Sequence, residues 1–356
     1  MIHDIIFLIL GLILLVAGAN YVTDGAVAVA QRFKVSNLMI GLTVVALGSS
    51  LPDIVVCVES AFQDKPALAM GEVIGANIFD LLLVIGIMGI VRPLKVSNLM
   101  RRQDLPILFI ASTALWIAGD SILFDKASHN VIDRSSGLML IVIFVFYMWF
   151  MILTTGKSGS TEDEDDDISV DSESVGNKSD NAGIVAAHSA KGELRILKSK
   201  MIELKGKRWF SWLLIVAGLA ALVVGGNWVV DGASGLALKI GMSQAMVALT
   251  VVAIGNALPD LVTSLTATLK GASGIALGNI VGSCVINALL TIGLSALVIP
   301  LRADSIGFVD FITLVGAAAM LWIVPCILKS KRIGRVFGII LVLLYVAYMV
   351  FTVIRG

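Results

Sequence analysis

Two aspartates lie in the middle of long apolar runs, where a charged side chain is costly. Asp53 follows Pro52 in the segment GSSLPD, and Asp260 follows Pro259 in the segment GNALPD. A carboxylate at membrane depth costs at least about 2.5 kcal/mol and by default indicates a functional site. Because proline removes an intrahelical hydrogen bond and frees upstream carbonyl oxygens, both helices are predicted to break here. The carboxylate oxygens and the freed carbonyl oxygens together predict a cation site. The alternative is that both prolines only kink their helices and that neighbouring groups satisfy the carboxylates.

Two further segments supply polar side chains with the spacing of one helix face. They recur at every fourth residue, as Glu72, Ala76 and Asp80 in one segment and as Asn279, Ser283 and Asn287 in the other. Glycine precedes the first two of these positions in both segments and lets neighbouring backbones approach closely. The oxygens are carboxylate, amide, hydroxyl and carbonyl, with no soft ligand among them. This set favours a hard cation, namely sodium, potassium, calcium or magnesium.

The elements that position these residues must be transmembrane helices. Of the 356 residues, 58% are hydrophobic and 15% are charged, whereas soluble globular proteins are about 45–50% apolar and about 25% charged. Ten apolar runs approach or exceed the roughly 18 residues that cross a bilayer. They lie near 5–23, 36–62, 67–91, 104–124, 136–154, 210–230, 243–269, 273–299, 307–328 and 333–353. We therefore predict an all-α polytopic membrane protein with ten transmembrane helices.

Cysteine and histidine predict neither a disulfide framework nor a zinc, copper or iron site. The three cysteines lie inside apolar runs, where a thiol behaves as a small apolar group, and the three histidines lie outside the predicted spans. The 26 Lys and Arg balance the 26 Asp and Glu, so net charge predicts no nucleic-acid partner. We expect no bound cofactor.

The sequence contains an internal repeat. Sliding the chain by 207 residues aligns residues 18–26 with 225–233, 42–53 with 249–260 and 70–80 with 277–287. Because five spans per repeat is an odd number, the second repeat enters the membrane from the opposite face, which makes an inverted repeat with broken helices at the ion site. The predicted units are a five-helix repeat at 1–154, a loop at 155–208 and a five-helix repeat at 209–356, with the repeated motifs at about 40–87 and 247–294.

Lysine and arginine predict the orientation in the membrane. Of these 26 residues, 20 fall on one side of the predicted spans, and the basic side is normally cytoplasmic. The loop at 155–208 is therefore predicted to face the cytoplasm, with both termini outside the inner membrane. Its acidic, Ser- and Gly-rich part is predicted to be a disordered linker rather than a calcium sensor. Its basic end, 198–208, is expected to rest on anionic headgroups.

These residues resemble the α-repeats of the cation/calcium exchanger superfamily, especially its prokaryotic sodium/calcium exchangers. The resemblance covers all ten predicted spans and rests on a paired motif, G-[ST]-S-x-P-[ED] followed by G-N-x-x-G-S-x-x-x-[ND]. It implies that Asp53 and Asp260 are the central ion ligands. It also implies side-chain ligands at Ser49, Ser50, Asn256 and Ser283, carbonyl ligands at Ala46 and Ala253, and a flanking pair at Asp80 and Asn287.

The chain departs from the family pattern at three places. The residue after the motif proline is most often glutamate in the family, but both are aspartate here, which enlarges the cavity or moves the helices. Inverted symmetry pairs Ser50 with Ser283, whereas the equivalent pair is Ala76 with Ala257, so one hydroxyl pair is missing and one sodium site is expected to be weakened. Glu72 stands where the family usually has asparagine, and we expect this third carboxylate at the site, as a ligand or a proton acceptor.

The resemblance implies a secondary antiporter that exchanges calcium for sodium by alternating access. Two close carboxylates repel each other, and one divalent ion or several monovalent ions relieve the repulsion, so one species leaves before the other binds. A calcium/proton, magnesium or potassium-dependent exchanger is the nearest alternative. An intramembrane aspartyl protease is disfavoured because it would need a G-x-G-D motif, which this sequence lacks. A channel is disfavoured because a site with this many charges would bind ions too tightly for fast passage. We expect no enzymatic activity, and inorganic cations and the lipid bilayer as partners.

Overall fold

The computed structural model describes residues 2–32, 46–98, 100–120, 131–157, 208–269, 273–302, 306–327 and 332–355. Nearly all of the predicted central loop lies outside these residues. The helices are α1 (Ile2–Arg32), α2 (Ala46–Ser49), α3 (Leu51–Phe62), α4 (Pro66–Ile78), α5 (Ile85–Val91), α6 (Leu105–Gly119), α7 (Arg134–Lys157), α8 (Arg208–Ile240), α9 (Gln244–Val247), α10 (Ala253–Leu269), α11 (Ser273–Ile286), α12 (Ile292–Val298), α13 (Phe308–Ile327) and α14 (Arg335–Arg355). π-Helical turns span Phe79–Val84, Met100–Asp104, Ala248–Val252 and Asn287–Thr291, and short strands are β1 (Leu94–Lys95), β2 (Val131–Ile132), β3 (Leu301–Arg302) and β4 (Arg332–Ile333).

Eight helical segments of the described residues are long and apolar enough to cross a membrane. They correspond to every predicted span except the second and the fourth. The second predicted span contains α2 and α3, and residues 33–45 before them lie outside the described part. The fourth predicted span contains α6, which has 15 residues. The all-α membrane fold is therefore confirmed, whereas the count of ten spans stays a prediction.

The elements of the two halves recur at the offset of the sequence repeat. α5 begins at residue 85 and α12 at residue 292, and both have seven residues. β1 and β3 begin at residues 94 and 301, which differ by the same offset. In both halves the helix before this point, α4 or α11, passes through a π-helical turn. The repeated sequence pattern therefore produces the same local structure twice.

The two long helices α1 and α8 pack against each other through glycine. A methyl group added at Gly18 would lie 2.8 Å from the carbonyl oxygen of Gly218, and one added at Gly11 would lie 2.9 Å from that of Gly225. Gly11 and Gly218 are equivalent in the repeat, as are Gly18 and Gly225, so the contact is symmetric. Small residues permit such close approach between membrane helices. Helices of one half also pack against helices of the other half elsewhere, since α5 packs against α14 and α12 packs against α7.

Two antiparallel strand pairs also join the halves. β1 pairs with β4, with Leu94 opposite Ile333, and β2 pairs with β3, with Ile132 opposite Leu301. Each pair joins two loops that the lysine and arginine count assigns to the same side of the membrane. The predicted order of sides is therefore compatible with the strand pairing, while the choice of cytoplasmic side stays a prediction.

The helix breaks differ from the prediction in one of the two motifs. In the second span, Ser50 separates α2 from α3, and Pro52 lies in the first turn of α3, where its missing N–H is not needed. In the seventh span, α10 continues through Pro259, so the predicted break there is wrong. A proline removes only one hydrogen bond, and a membrane helix absorbs this loss by local adjustment. The irregular turn of this span, Ala248–Val252, lies upstream of the proline.

Candidate ion-binding site

Four helices and two π-helical turns bring the predicted residues together where the two halves meet. α3 packs against α4 and against the turn Asn287–Thr291, and α10 packs against α11 and against the turn Phe79–Val84. Each half thus contributes a motif aspartate, Asp53 or Asp260. The π-helical turn of the opposite half places one polar side chain, Asn287 or Asp80, against the helix that carries this aspartate. Asp260 is half-buried. The buried polar members of the predicted set are Ser50, Asp53, Glu72, Asp80, Asn256, Ser283 and Asn287.

Asp53 is held by side chains from both halves of the chain. Asn287 Nδ2 donates a hydrogen bond of 2.6 Å to Asp53 Oδ2. Glu72 and Asn256 also lie near the Asp53 carboxyl group. Hydrogen bonds to a charged acceptor are stronger than those between neutral groups. The Asp53 carboxylate is therefore oriented by protein groups before a cation binds.

The equivalent carboxylate, Asp260, faces a different partner. In the repeat Asp260 corresponds to Asp53, and Asp80 corresponds to Asn287, so a carboxylate stands where the other half has an amide donor. Asn279 lies near Asp260, and the charges of Asp80 and Asp260 repel. No donor in the described part of the chain bonds to Asp80 Oδ1, although Asp80 is 1% exposed. A cation would stabilise this pair of like charges.

Glu72 connects the two motifs. Asn256 Nδ2 donates a hydrogen bond of 2.9 Å to Glu72 Oε1, and the thiol of Cys57 lies 3.3 Å from Glu72 Oε2. The Cys57 thiol also lies 3.1 Å from the carbonyl oxygen of Ala69. The apolar run around Cys57 predicts that its thiol packs as a small apolar group. The structure instead places the Cys57 sulfur beside the carboxyl group of Glu72. Only the spacing of Cys57 from Asp53, one helical turn, signals this in the sequence.

The predicted hydroxyl pair is present. Ser50 Oγ and Ser283 Oγ lie 3.3 Å apart, and both side chains are buried. The residues equivalent to them in the repeat, Ala257 and Ala76, are also buried and carry no side-chain oxygen. The structure therefore brings together the serines that the inverted symmetry paired, and only one of the two symmetry-related pairs consists of hydroxyls.

The remaining predicted ligands, Ala46, Ser49 and Ala253, are close in sequence to Ser50 or Asn256. Ala46 and Ser49 are the first and last residues of α2, and Ala253 begins α10. The roles of Ala46 and Ala253 as carbonyl ligands and of Ser49 as a hydroxyl ligand stay predictions. Within the ranges that the structure describes, no three His, Cys, Asp or Glu side chains converge as a metal site. A cation here would therefore also use amide, hydroxyl or carbonyl oxygens.

Asn77 is a site residue that the four-residue spacing does not reveal. It lies on α4 three residues before Asp80, and its side chain is fully buried. Asn77 Nδ2 donates a hydrogen bond of 3.0 Å to the carbonyl oxygen of Cys284, the residue equivalent to Asn77 in the repeat. The available signal in the sequence is an amide within an apolar run, one helical turn from an aspartate.

Comparisons with known proteins place this arrangement in a family. The model of the family described as sodium/calcium exchanger protein matches residues 3–153 and 210–354. The chain belongs to this family. The exchanger is 30% identical to the putative antiporter CaxA of Alkalimonas amylolytica, over 96% of each chain. It is 27% identical to the sodium/calcium exchanger MaX1 of Methanosarcina acetivorans, over 98% of this chain and 97% of the relative.

A solved structure supports the same assignment. The sodium-calcium exchanger NCX_Mj, soaked with 100 mM Na⁺ and 10 mM Sr²⁺, is similar to this exchanger with a TM-score of 0.59. The sequence identity is 27%, and the similarity covers 98% of both chains. The resemblance seen in the motifs is therefore confirmed. The protein is an integral membrane antiporter of the sodium/calcium exchanger type.

Proposed function

We propose that this exchanger moves calcium across the membrane in exchange for sodium, with Asp53 and Asp260 as the central ligands. The observation that carries the proposal is the group of carboxylates at the contact between the halves, of which Asp53 and Asp80 are buried and Asp260 is half-buried. Asp80 interacts electrostatically with both Asp260 and Asp53, and Asp260 interacts with Asp53. The oxygens around them belong to amides and hydroxyls, which suit sodium and calcium better than softer metals.

Competition for these carboxylates would couple the two ions. Without a cation, the like charges of Asp53, Asp80 and Asp260 repel in a buried environment. One calcium ion, or two or more sodium ions, would compensate this charge. Because the two kinds of ion need the same oxygens, binding of one favours release of the other.

The symmetry of the two halves supports alternating access. The contacts of α1 with α8, and of α5 and α12 with α14 and α7, each have an equivalent in the other half. In inverted repeats, the two halves can exchange conformations around a central site and so open it to one side at a time. The site lies between helices of both halves, which is the position that such an exchange requires.

Transport under defined gradients tests the proposal. Purified exchanger in liposomes loaded with sodium is expected to accumulate ⁴⁵Ca²⁺ when the outside is sodium-free. Potassium or pH gradients of the same size are expected to give little uptake. Uptake driven by a pH gradient without sodium would instead favour the calcium/proton alternative, in which Glu72 has a direct role. Uptake that requires potassium as well would favour the potassium-dependent variant.

The asymmetric hydroxyl pair predicts how steeply transport depends on sodium. Since Ser50 Oγ and Ser283 Oγ are 3.3 Å apart, one ion can contact both. Replacing both serines by alanine is expected to decrease the Hill slope for sodium. Restoring hydroxyls with Ala76→Ser and Ala257→Ser together is expected to increase it. Sodium-dependent ⁴⁵Ca²⁺ uptake measures the slope, and an unchanged slope in both double variants would show that neither pair contacts sodium.

The central loop is proposed to be a linker in the cytoplasm. Deleting residues 160–190 is expected to change calcium uptake by less than about twofold, because a linker needs only enough length to join the repeats. The proposed orientation, with both termini outside the inner membrane, rests on the lysine and arginine count. A shift of tenfold or more in the calcium concentration for half-maximal uptake would favour a regulatory loop instead.

A further inference from the structure

Two buried oxygens one helical turn apart on the third span lack hydrogen-bond donors. In the part of the chain that the structure describes, no donor bonds to Asn77 Oδ1 or to Asp80 Oδ1. Asn77 is 0% exposed and Asp80 is 1% exposed. Residues three apart on a helix share a face. Buried oxygens are normally paired, and a cation bound between these two neighbouring oxygens would satisfy both.

The orientation of the Asn77 amide is set by its other atom. Asn77 Nδ2 donates to the carbonyl oxygen of Cys284 at 3.0 Å. Turning the amide over would place two acceptors, Asn77 Oδ1 and this carbonyl oxygen, against each other, so the hydrogen-bond network assigns the orientation. Cys284 also interacts electrostatically with Asp80 and Asp260. Asn77 is therefore fixed to the backbone of a residue close to Asp80 and Asp260, and its side-chain oxygen accepts no hydrogen bond from the described residues.

The equivalent position in the other half cannot offer the same ligands. The repeat pairs Asn77 with Cys284, so a sulfur replaces the amide oxygen. The residue equivalent to Asp80 is Asn287, whose amide already donates to Asp53. Sulfur is a poor ligand for hard cations. Among the described residues, the asymmetry of the sequence thus leaves unpartnered oxygens at Asn77 and Asp80 on the third span and not at their counterparts on the eighth span.

We propose that Asn77, Asp80 and Asp260 form a cation subsite in which the Asn77 side-chain oxygen is a direct ligand. The identity of the ion, calcium, rests on the proposed function. Asp80 and Asp260 supply the charge, and Asn77 supplies a neutral oxygen whose position the Cys284 carbonyl fixes. Calcium combines carboxylates and side-chain amide oxygens in this way. The subsite makes the two halves of the binding region unequal, because the half around Asp53 is occupied by the protein's own donors.

An oxygen-to-sulfur replacement tests this assignment. Equilibrium binding of calcium and of cadmium to the purified full-length protein is measured without any gradient. Asn77→Cys is expected to weaken calcium binding by about tenfold, since even outer partners of metal sites contribute 10- to 100-fold. Because sulfur prefers softer metals, the same variant is expected to shift the cadmium-to-calcium affinity ratio towards cadmium. Asn77→Ser keeps a donor for Cys284 and is expected to weaken calcium binding about tenfold without this shift.

A control variant and a stability measurement separate the ligand role from a structural one. Ser211→Ala removes another fully buried oxygen that lacks a partner in the described residues, on α8 and outside the site, and is expected to bind calcium as the wild type does. If Asn77 only ties α4 to α11, Asn77→Cys and Asn77→Ser would lower the Tm of the ion-free protein and leave calcium affinity and the cadmium-to-calcium ratio unchanged. That result would overturn the subsite.

Binding without gradients also distinguishes this inference from the proposed transport. A wild type that binds calcium without exchanging it for sodium would refute the proposed function and leave the subsite intact. A wild type that exchanges the two ions, together with an Asn77→Cys variant of unchanged calcium affinity, would refute the subsite alone. Asn77→Ser decides the case if Asn77→Cys does not fold, because its small hydroxyl fits in the space of the amide.

Discussion

Replacing Asp53 or Asp260 by asparagine is expected to abolish sodium-driven calcium uptake. Each carboxylate is proposed to contact the transported ion, and loss of one buried charge partner typically costs about 3 kcal/mol or more, which is more than about a hundredfold in affinity. The fold is expected to persist. In Asp53→Asn, the new amide keeps an oxygen that can accept the hydrogen bond now made by Asn287 at 2.6 Å. Uptake of ⁴⁵Ca²⁺ into liposomes measures the effect.

A carboxylate on the same helix provides the matched control for Asp53. Glu59 lies on α3 outside the group of buried carboxylates, is half-buried, and accepts a hydrogen bond of 3.2 Å from Gln63 Nε2. Glu59→Gln is expected to retain most of the wild-type uptake, with an unchanged elution profile in detergent. Normal uptake by Asp53→Asn or Asp260→Asn would remove these aspartates from the ion pathway. Loss of uptake in Glu59→Gln as well would point to a general effect of charge on this helix.

The offset of the repeat predicts long-range contacts of the site. Ser50 and Ser283 are 233 positions apart, yet their hydroxyls meet. Each repeat contains two motifs, one with the proline and aspartate and one on the following span. A pseudo-twofold axis between the repeats brings the first motif of one repeat against the second motif of the other. The contact of Asn287 with Asp53 has the same origin. Sequence comparison within one chain therefore carries tertiary information when the chain contains a repeat.

Irregular helix geometry was not predictable in the same way. The motifs around Pro52 and Pro259 are nearly identical, but only the first contains an interruption, at Ser50. The π-helical turns that begin at Phe79 and Asn287 carry no proline or glycine signal of their own. A π-helical turn changes which carbonyl each N–H reaches, and packing against neighbouring helices decides whether that change is favourable. Such choices depend on contacts that local spacing does not contain.

The residue types of Cys57 and Asn77 were also insufficient to predict that these side chains lie near the other polar groups of the site. A thiol in an apolar run is usually part of the apolar packing, yet Cys57 lies 3.3 Å from a Glu72 oxygen. Asn77 does not share the four-residue spacing of Glu72 and Asp80, but its amide reaches Cys284 on the partner helix. In both cases the environment is created by the opposite half of the chain or by a neighbouring helix.

Glu72 is expected to tolerate glutamine and not alanine. Glu72 Oε1 accepts the hydrogen bond of Asn256 Nδ2 at 2.9 Å, and the Asp53 carboxyl group lies near the same side chain. Glutamine keeps an oxygen for Asn256 and gains an N–H that can donate to Asp53. Alanine leaves the buried Asn256 donor unpaired, which costs about 1–3 kcal/mol, and also creates a cavity. We therefore expect Glu72→Ala to lower sodium-driven calcium uptake at least about tenfold.

The glutamine variant separates two roles of Glu72. If Glu72 is a neutral hydrogen-bond donor, as asparagine is at the equivalent position Asn279, Glu72→Gln is expected to retain sodium-driven calcium uptake and to flatten its dependence on pH. We favour this outcome because Asn279 shows that a neutral side chain is sufficient in the other half. If Glu72 carries a coupling proton, the same variant should lose uptake driven by a pH gradient while still binding calcium. Measuring uptake under both gradients decides between them. A Glu72→Gln variant that is inactive under both gradients, although folded, would contradict both roles and make Glu72 a direct ligand of the ion.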